Sequence, residues 1–565
     1  MFSAHPVVQG IAEILKAKDI TYAVLSPGSR NAPVIIHLTG DPAFKTYSIA
    51  DERSAGFFAL GMAQQLQVPV VLNCTSGSAL VNYYPSLVEA YYQQIPLILL
   101  TADRPKESID LREGQTIQQE NLFGRHVVKF VQLTEDHSKK GLWYNDYLVN
   151  ETLNAALLLK KPVHINLPLS EPLYNRVNKI KRKPKIITVP SLGVFVDPSL
   201  LKPYQEIWKN NPKKMILIGQ QNSSPDLEII LEDLSQNDPS LIILTETLSN
   251  IHGVGFIECI DRLIYSVSKE KEADLYPELL ITFGKSIVSK KIKNFLRDAA
   301  SKHHWHIEEN AGPMPDTYHA LTTYWGLPAE VFLKNLPKTC LNSDFRKKWT
   351  DLDKERAQKH KVFLSKTRFC DLKAFEIILQ AIPEGSLLHL GNGTAIRYQQ
   401  LFKRKKSVIS YANRGTAGID GCVSTAMGAA VACQKPLVLV TGDLSFFYDS
   451  NALWNSYTPE DFRIIIINNG GGDIFRFIPG PDQSAALEDY FVKTHSLNAK
   501  SLCEMHHWSY LYADTEITLR NALKKFWKPT EYKLQANLLE VNTRKYNNSH
   551  QLRNYFSSLH KKIKM

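Results

Sequence analysis

Two segments in the last third of the sequence end in side chains that could hold a metal ion. The apolar run LVLVTG is followed by Asp443, and the run RIIIIN is followed by Asn469 and then by three glycines, the second of which is Gly471. A carboxylate, an amide oxygen and a backbone carbonyl form the all-oxygen ligand set that Mg²⁺ prefers. The pattern therefore indicates a divalent-cation site, although a helix-capping Asp and an Asn-Gly turn would give the same letters.

Both segments belong to a pattern that recurs along the chain, in which a short apolar run ends at a small or polar residue and a helical segment follows. Such runs include VVLNC, LILLT, MILIG, LIILT, LLITF, LLHLG, LVLVTG and RIIIIN. Continuous apolar strands that alternate with helices predict parallel sheets covered on both faces. We therefore predict an α/β protein built from doubly wound parallel sheets, which bind ligands at the carboxyl ends of their strands.

Two charged segments divide the chain into three blocks. One is the basic, proline-containing segment around residues 178–185, and the other covers residues 343–363, where we expect a solvated helix. The predicted domains are residues 1–182, residues 183–355 as a central α/β domain, and residues 356–565. Each block has the size of an ordinary domain.

Composition excludes several classes of function. The formal net charge of +11 is concentrated in short basic runs, and without zinc-finger spacing or an RNA-binding motif we expect no nucleic-acid partner. No apolar run reaches the roughly 20 residues of a membrane span, and no signal peptide is expected. The seven cysteines lack CxxC spacing, which is typical of reduced thiols in a cytoplasmic protein.

The Gly-Asp pair and the Asn-Asn pair, separated by a stretch long enough for one crossover helix, resemble the thiamine diphosphate-binding motif. The resemblance implies that Asp443, Asn469 and the carbonyl of Gly471 hold Mg²⁺ (or Mn²⁺) against the diphosphate of the cofactor. Leu444 stands where most of that superfamily has glycine. The superfamily also requires a glutamate beside N1′ of the aminopyrimidine, and Glu52 in YSIADERSAG matches it, although a carboxylate there could simply complement a helix dipole.

A closer resemblance is to the 2-succinyl-5-enolpyruvyl-6-hydroxy-3-cyclohexene-1-carboxylate synthases of menaquinone biosynthesis. It is carried by SPGSRNAP, DERSAG, TSGSALVN, TADRP, GNGTAIR, NRGTAGIDG, GDLSFFYD and NNGGGDIF, which lie in the first and third blocks. Members of that family use thiamine diphosphate to decarboxylate 2-oxoglutarate and add the succinyl carbanion equivalent to isochorismate. The resemblance implies a thiamine diphosphate-binding fold of three doubly wound domains, with residues 1–182 binding the pyrimidine and residues 356–565 binding the diphosphate and the metal ion.

The resemblance also assigns roles to individual residues. Glu52, Arg397, Arg414 and Gln115 would be catalytic, and Glu52, Thr394, Ile419, Leu444 and Ser445 would contact the cofactor. The substrate-binding set would be Ser29, Arg30, Arg104, Gln115, Lys290, Lys291, Arg397 and Arg414. Two substrates with four carboxylates between them call for several fixed cations, and arginine suits such carboxylates best.

Some features stay open at this level. Gly393 and Gly114 depart from the residues that the family pattern leads one to expect. An ordinary surface ion pair would explain Lys290 and Lys291 equally well. The superfamily implies a homo-oligomer, a dimer or a tetramer, with active sites between subunits. The alternative function is another thiamine diphosphate-dependent 2-oxo acid decarboxylase or carboligase, such as an acetohydroxyacid synthase.

Overall fold

The computed structural model describes residues 1–190, 193, 195–265, 267, 269–309, 312–433, 435–528 and 537–560. Within those ranges the strands form three parallel sheets, two of six strands and one of five, and a separate two-stranded pair. Helices cover both faces of each sheet, as the alternating sequence pattern predicts. The predicted α/β class with three doubly wound parallel sheets is confirmed.

The first sheet and its helices occupy the N-terminal part of the chain. Its elements are β1 (Phe2–Ser3), α1 (Pro6–Ala17), β2 (Tyr22–Leu25), α2 (Ala32–Gly40), β3 (Lys45–Ser48), α3 (Glu52–Leu66), β4 (Val70–Cys74), α4 (Ser78–Asn82), α5 (Tyr84–Gln93), β5 (Leu97–Asp103), β6 (Lys129–Gln132), α6 (Lys139–Leu159), β7 (Val163–Pro168) and β8 (Arg176–Val177). The strand order is β3-β2-β4-β5-β7-β6, while β1 and β8 form the separate antiparallel pair.

The second sheet is smaller and lies in the middle of the chain. Its elements are α7 (Pro198–Asn210), β9 (Lys214–Ile218), α8 (Pro225–Ser235), β10 (Leu241–Thr245), α9 (Ile260–Ile264), α10 (Lys269–Leu275), β11 (Leu279–Phe283), α11 (Lys290–Ala299), β12 (His303–Ile307), β13 (Thr323–Trp325), α12 (Ala329–Lys334) and α13 (Phe345–Lys366). The order is β10-β9-β11-β12-β13. Helix α13 is the helix expected in the charged segment of residues 343–363.

The third sheet contains the two runs with which the sequence argument began. Its elements are α14 (Asp371–Ala381), β14 (Leu387–Leu390), α15 (Ala395–Gln399), β15 (Ile409–Tyr411), α16 (Cys422–Ala432), β16 (Leu437–Gly442), α17 (Asp443–Tyr448), β17 (Phe462–Asn468), α18 (Lys500–Met505), β18 (Ser509–Ala513), α19 (Glu516–Phe526), β19 (Asn537–Asn542) and α20 (Asn548–Ser558). The order is β15-β14-β16-β17-β19-β18, and all of its pairs are parallel.

The first and third sheets share one topology. Counted by chain order within each sheet, both have strands in the order 2-1-3-4-6-5. The order reverses between local strands 1 and 3, and ligands of doubly wound sheets bind in the crevice at such a reversal. In the first sheet the reversal lies between β2 and β4, and in the third sheet between β14 and β16.

Helices α3 and α16 join the first domain to the third across a very close crossing. A Cβ atom on Gly61 would lie 1.9 Å from the carbonyl oxygen of Thr425, and one on Gly428 would lie 1.9 Å from the carbonyl oxygen of Phe58. The two glycines therefore let the helix backbones touch. Around them, side chains of both helices belong to one continuous apolar core.

None of the helices in the described ranges combines the length and the apolar character needed to cross a membrane.

Candidate active site

The predicted metal-binding residues come together at the carboxyl ends of β16 and β17. Asp443 is 2% exposed, and its Oδ2 accepts hydrogen bonds from the backbone N–H groups of Gly470 (2.8 Å) and Gly471 (3.0 Å). Its Oδ1 accepts one from the N–H of Leu444. An ionised carboxylate has about four lone-pair directions, so Asp443 keeps capacity for a cation. The backbone amides of the glycine turn thus hold this carboxylate in place.

Asn469 presents the second oxygen of this group. Its Nδ2 donates to Asp371 Oδ2 at 2.9 Å, and its Oδ1 is buried without a hydrogen-bond partner among the described residues. Asp371 also accepts a hydrogen bond from Thr543, and burial raises the pKa of Asp371 to about 7. An orphaned buried oxygen is costly unless a ligand completes it. The donor set of carboxylate, amide oxygen and carbonyl suits a hard cation such as Mg²⁺.

Arg397 and Thr394 follow β14 and line a cavity of about 170 Å³ between the second and third sheets. Lys290 and Lys291, at the start of α11, line the same cavity, together with apolar side chains such as Phe477. Burial lowers the pKa of Arg397 and lowers that of Lys291 to about 8. The structure thus brings four of the predicted residues to one partly apolar, cationic cavity.

Arg414 is held in a loop that follows β15. Its Nη1 donates to Asn392 Oδ1 at 2.9 Å, and its backbone carbonyl accepts a hydrogen bond from Ser286 Oγ. In the part of the chain that the structure describes, its Nε is buried without a partner, and burial lowers the pKa of Arg414. A guanidinium with a free buried N–H is ready to bind an anion such as a carboxylate.

The remaining cofactor-contact candidates lie beside Asp443. Ser445 Oγ donates to the carbonyl of Ile419 at 3.0 Å, which ties α17 to the Arg414 loop. The side chain of Ile419 is 38% exposed, an unusual position for isoleucine next to buried polar groups. Leu444 is half-buried at the first turn of α17.

Glu52 begins α3, directly after Asp51, whose side chain caps the helix by accepting a hydrogen bond from Ser54 N–H. Its carboxylate is half-buried and has no side-chain hydrogen bond among the described residues, and burial raises its pKa. The neighbours of Glu52 touch the third domain: Asp51 accepts from Asn451, and Arg53 donates to the carbonyl of Tyr448. Glu52 itself takes part in neither of these two contacts.

The other first-domain candidates gather at the carboxyl ends of β2, β4 and β5. Arg30 is 5% exposed and donates to the carbonyl of Leu169, while burial and the nearby Arg104 lower its pKa. Arg104 donates to the carbonyl of Gly114. The Nε atoms of both arginines are buried and find no hydrogen-bond partner within the described ranges. Two neighbouring guanidinium groups with unused donors form an anion-binding surface.

Ser29 and Gln115 are exposed at the edge of that surface. Gln115 has a φ of 59°. A Cβ atom added to Gly77 would lie 3.1 Å from the Cα of Gln115. Glycine at position 77, where φ is 88°, therefore lets the loop that carries Gln115 pack against the turn after β4.

The predicted residues thus form two groups within one chain. The first-domain group is Ser29, Arg30, Glu52, Arg104 and Gln115, and the second contains Lys290, Lys291, Thr394, Arg397, Arg414, Ile419, Asp443, Leu444, Ser445, Asn469 and Gly471. No hydrogen bond or ion pair between described residues joins Glu52 to Asp443 or to Asn469.

Sequence reasoning missed the residues that hold these groups in place. Asp371 and Asn392 contact predicted residues directly, and Glu89 accepts hydrogen bonds from the Arg414 loop. Asn392 lies inside the quoted GNGTAIR motif, so its position was a usable signal. Asp371 and Glu89 stand far along the chain from their partners, and no local pattern marks them.

Two family models match this chain. One, described as "Thiamine pyrophosphate enzyme, N-terminal TPP binding domain", matches residues 6–125, and the other, "Thiamine pyrophosphate enzyme, C-terminal TPP binding domain", matches residues 391–533. Each range contains one of the two groups of site residues, apart from the lysines of the middle domain. Fold, site and matches together define a thiamine diphosphate-dependent enzyme.

Relatives that align over nearly the whole chain show which family of thiamine diphosphate-dependent enzymes is most similar to it. The 2-succinyl-5-enolpyruvyl-6-hydroxy-3-cyclohexene-1-carboxylate synthase of Flavobacterium johnsoniae is 45% identical, over 98% of this chain and 99% of its own length. The proteins of the same name from Porphyromonas gingivalis and Bacteroides fragilis are 39% and 36% identical, over at least 97% of each chain. The chain belongs to the 2-succinyl-5-enolpyruvyl-6-hydroxy-3-cyclohexene-1-carboxylate synthase family.

Proposed function

We propose that this chain decarboxylates 2-oxoglutarate and adds the succinyl unit in a 1,4 fashion to isochorismate. The products would be 2-succinyl-5-enolpyruvyl-6-hydroxy-3-cyclohexene-1-carboxylate and carbon dioxide, in menaquinone biosynthesis. The observation that carries the substrate class is the set of buried, unpartnered guanidinium nitrogens on Arg30, Arg104 and Arg414. Two polycarboxylate substrates would supply the acceptors that these donors lack.

Thiamine diphosphate, when bound, supplies the carbon nucleophile and the electron sink for decarboxylation. Asp443, Asn469 and the carbonyl of Gly471 would hold its Mg²⁺ (or Mn²⁺), and the orphaned Oδ1 of Asn469 supports this role. Thr394, Ile419, Leu444 and Ser445 would contact the cofactor in the same crevice.

Glu52 would hold and exchange a proton at N1′ of the aminopyrimidine. Its raised pKa supports this role, because a carboxyl group in a water-poor position exchanges its proton with a ring nitrogen more readily than a fully solvated one does. Among the described residues no side chain donates a hydrogen bond to Glu52, which leaves the carboxyl free for that contact.

The cations would divide between the two substrates. Arg397, Arg414, Lys290 and Lys291 lie around or beside the cavity near the metal group, where they would orient the carboxylates of one substrate. Ser29, Arg30, Arg104 and Gln115 would bind the other. Aliphatic and aromatic walls such as Phe477 would exclude water from the reacting carbon atoms.

We further propose a homo-oligomer, at least a dimer, in which Glu52 of one subunit completes the metal and cofactor group of another. Two observations support this arrangement: among the described residues no hydrogen bond or ion pair joins Glu52 to Asp443 or Asn469, and Ile419 is exposed. The domain boundaries at residues 182/183 and 355/356 and a cytoplasmic location, which the free cysteines support, belong to the same proposal.

One experiment tests the reaction. Purified protein with Mg²⁺ and thiamine diphosphate is given 2-oxoglutarate with and without isochorismate, and carbon dioxide release and the adduct are measured. We expect adduct formation that depends on both substrates. Turnover of pyruvate in place of 2-oxoglutarate would instead indicate an enzyme of the acetohydroxyacid synthase type.

A further inference from the structure

We propose that Glu89 is a positioning residue for the active site, because it clamps the loop that carries Arg414 and Ile419. Glu89 lies on α5 of the first domain, whereas the loop belongs to the third domain of the same chain. The proposal rests on the function proposed above, which makes Arg414 a substrate ligand. It adds a residue that touches neither substrate nor cofactor.

The contacts of Glu89 are short and all reach its carboxylate. Oε1 accepts from the N–H of Gly415 at 2.7 Å, and Oε2 accepts from both the N–H and the hydroxyl of Thr416 at 2.6 Å. Gln93, one turn later on α5, donates its Nε2 to Oε1 at 2.6 Å. Four donors thus use both oxygens of one carboxylate.

The site of these contacts is enclosed. Glu89 is 1% exposed, and hydrogen bonds to a charged group in a water-excluded position are stronger and more directional than exposed ones. A Cβ atom on Gly415 would lie 2.5 Å from the carbonyl oxygen of Glu89. The loop therefore rests directly on the backbone of α5, which only glycine at position 415 allows.

The clamp acts next to Arg414. The carbonyl of Arg414 accepts from Ser286 of the middle domain, and its guanidinium donates to Asn392 of the third domain. With Glu89 holding the next two residues, all three domains fix this short segment. The direction of the free Nε of Arg414 then depends on anchors on both sides, and Glu89 supplies three of the hydrogen bonds that hold the loop.

The first test measures the clamp itself in the cofactor-loaded protein. In Glu89→Gln one acceptor oxygen becomes an amide donor, which faces loop N–H groups that need acceptors. We expect hydrogen exchange of the Gly415 and Thr416 amides to accelerate by roughly ten-fold or more. Tyr457→Phe is the matched control, because it removes another hydrogen bond between the same two domains, the one from Ser48 N–H, without touching the loop.

The second test separates positioning from a merely structural role. We expect kcat/KM to fall roughly ten- to hundred-fold in Glu89→Gln for 2-oxoglutarate or for isochorismate, whichever substrate Arg414 binds. The loss should come mainly through KM, since a displaced Arg414 binds its carboxylate less well. Thr416→Val, which removes only the hydroxyl donor, should give a smaller loss in the same direction. Tyr457→Phe should keep wild-type kinetics.

The outcomes are distinct. Unchanged exchange at Gly415 and Thr416 in Glu89→Gln would overturn the clamp, and faster exchange with unchanged KM would overturn its role in positioning. If the wild-type protein fails to join 2-oxoglutarate to isochorismate, the proposed reaction is wrong. The exchange experiment still decides the clamp in that case.

Discussion

Three properties of the Glu52 side chain suit it to proton exchange. It lies at the first turn of a helix, it is half-buried, and among the described residues no side-chain hydrogen bond uses its carboxylate. Burial raises its pKa, so the carboxyl group holds its proton to a higher pH than a solvated glutamate does. These are the properties of a group that exchanges a proton with a ligand.

The variant Glu52→Gln tests this role. Glutamine keeps the shape of the side chain but cannot exchange a proton, so we expect kcat to fall by about a hundred-fold or more, with an unchanged melting temperature. Glu460→Gln, at an exposed glutamate, serves as the control. Retention of wild-type turnover in Glu52→Gln would remove Glu52 from the mechanism.

Asp371 gives a second prediction, about the metal ion. Its carboxylate holds the NH₂ group of Asn469, which leaves Oδ1 of that amide toward the proposed cation. In Asp371→Leu the amide loses its orientation, and we expect the apparent Mg²⁺ dissociation constant to rise about 10- to 100-fold. Direct Mn²⁺ binding measured by electron paramagnetic resonance reports this without turnover.

Thr543→Val is the control for Asp371. It removes the other hydrogen bond to the same carboxylate and leaves the one to Asn469. If both variants weaken metal binding equally, Asp371 stabilises the local structure around Thr543 and Asn469 and does not specifically orient the Asn469 amide.

The contrast between Asp443 and Asp371 explains what the sequence could predict at the residue scale. Asp443 directly follows an apolar strand, and residues at that point of a parallel sheet face the ligand crevice. Its residue type and its position after the strand were therefore enough to predict a ligand-binding role. Asp371 begins a helix remote in sequence from Asn469, and only packing of α14 against the sheet joins them. Glu89 is a comparable case, since its partners belong to another domain.

At the scale of elements, a strand could be predicted from the sequence when it was both long and apolar. All eight apolar runs quoted above form strands. The sequence contains no such signal for β12, which has the sequence HHWHI, or for the short strands β13 and β15. Strands that are polar or only three residues long have no clear sequence pattern, because they form through pairing and packing with neighbouring strands. The sequences of α3 and α16 contain many small residues, but the sequence alone could not show that the two helices contact each other.

The crossing of α3 and α16 gives the third prediction. In Gly61→Ala the new methyl group would lie 1.9 Å from the carbonyl oxygen of Thr425, so the helices must separate. We expect a loss of about 1–3 kcal/mol in stability and lower activity, since α3 carries Glu52. Thermal unfolding measures the first effect.

Gly326→Ala is the matched control for Gly61→Ala. A Cβ atom at Gly326 meets nothing within 4 Å, and alanine there should leave the melting temperature unchanged or slightly higher. Equal melting temperatures for wild type and Gly61→Ala would mean that the crossing adjusts without cost.

At the scale of the whole molecule, the division of the site residues into two groups is the main feature. Both six-stranded sheets have the same topology, and each presents its group at the carboxyl edge of its own strands, apart from Lys290 and Lys291 of the middle sheet. The α3–α16 crossing fixes the two sheets of one chain against each other, yet no hydrogen bond or ion pair in the described ranges links Glu52 to Asp443 or Asn469. In a two-fold symmetric dimer, the first-domain group of each chain can lie against the metal-binding group of the other chain, which gives two complete sites.

Mixing two inactive variants tests this arrangement. Glu52→Gln lacks the first-domain function and Asp443→Asn lacks the metal ligand, so each homodimer should be inactive. After subunit exchange, each heterodimer has one site with both residues intact and one site with neither. Random pairing of equal amounts makes half of the dimers mixed, so about a quarter of wild-type activity should return. Unmixed samples carried through the same exchange are the control. If both groups instead form one site within a single chain, every site keeps its own defect and no activity returns.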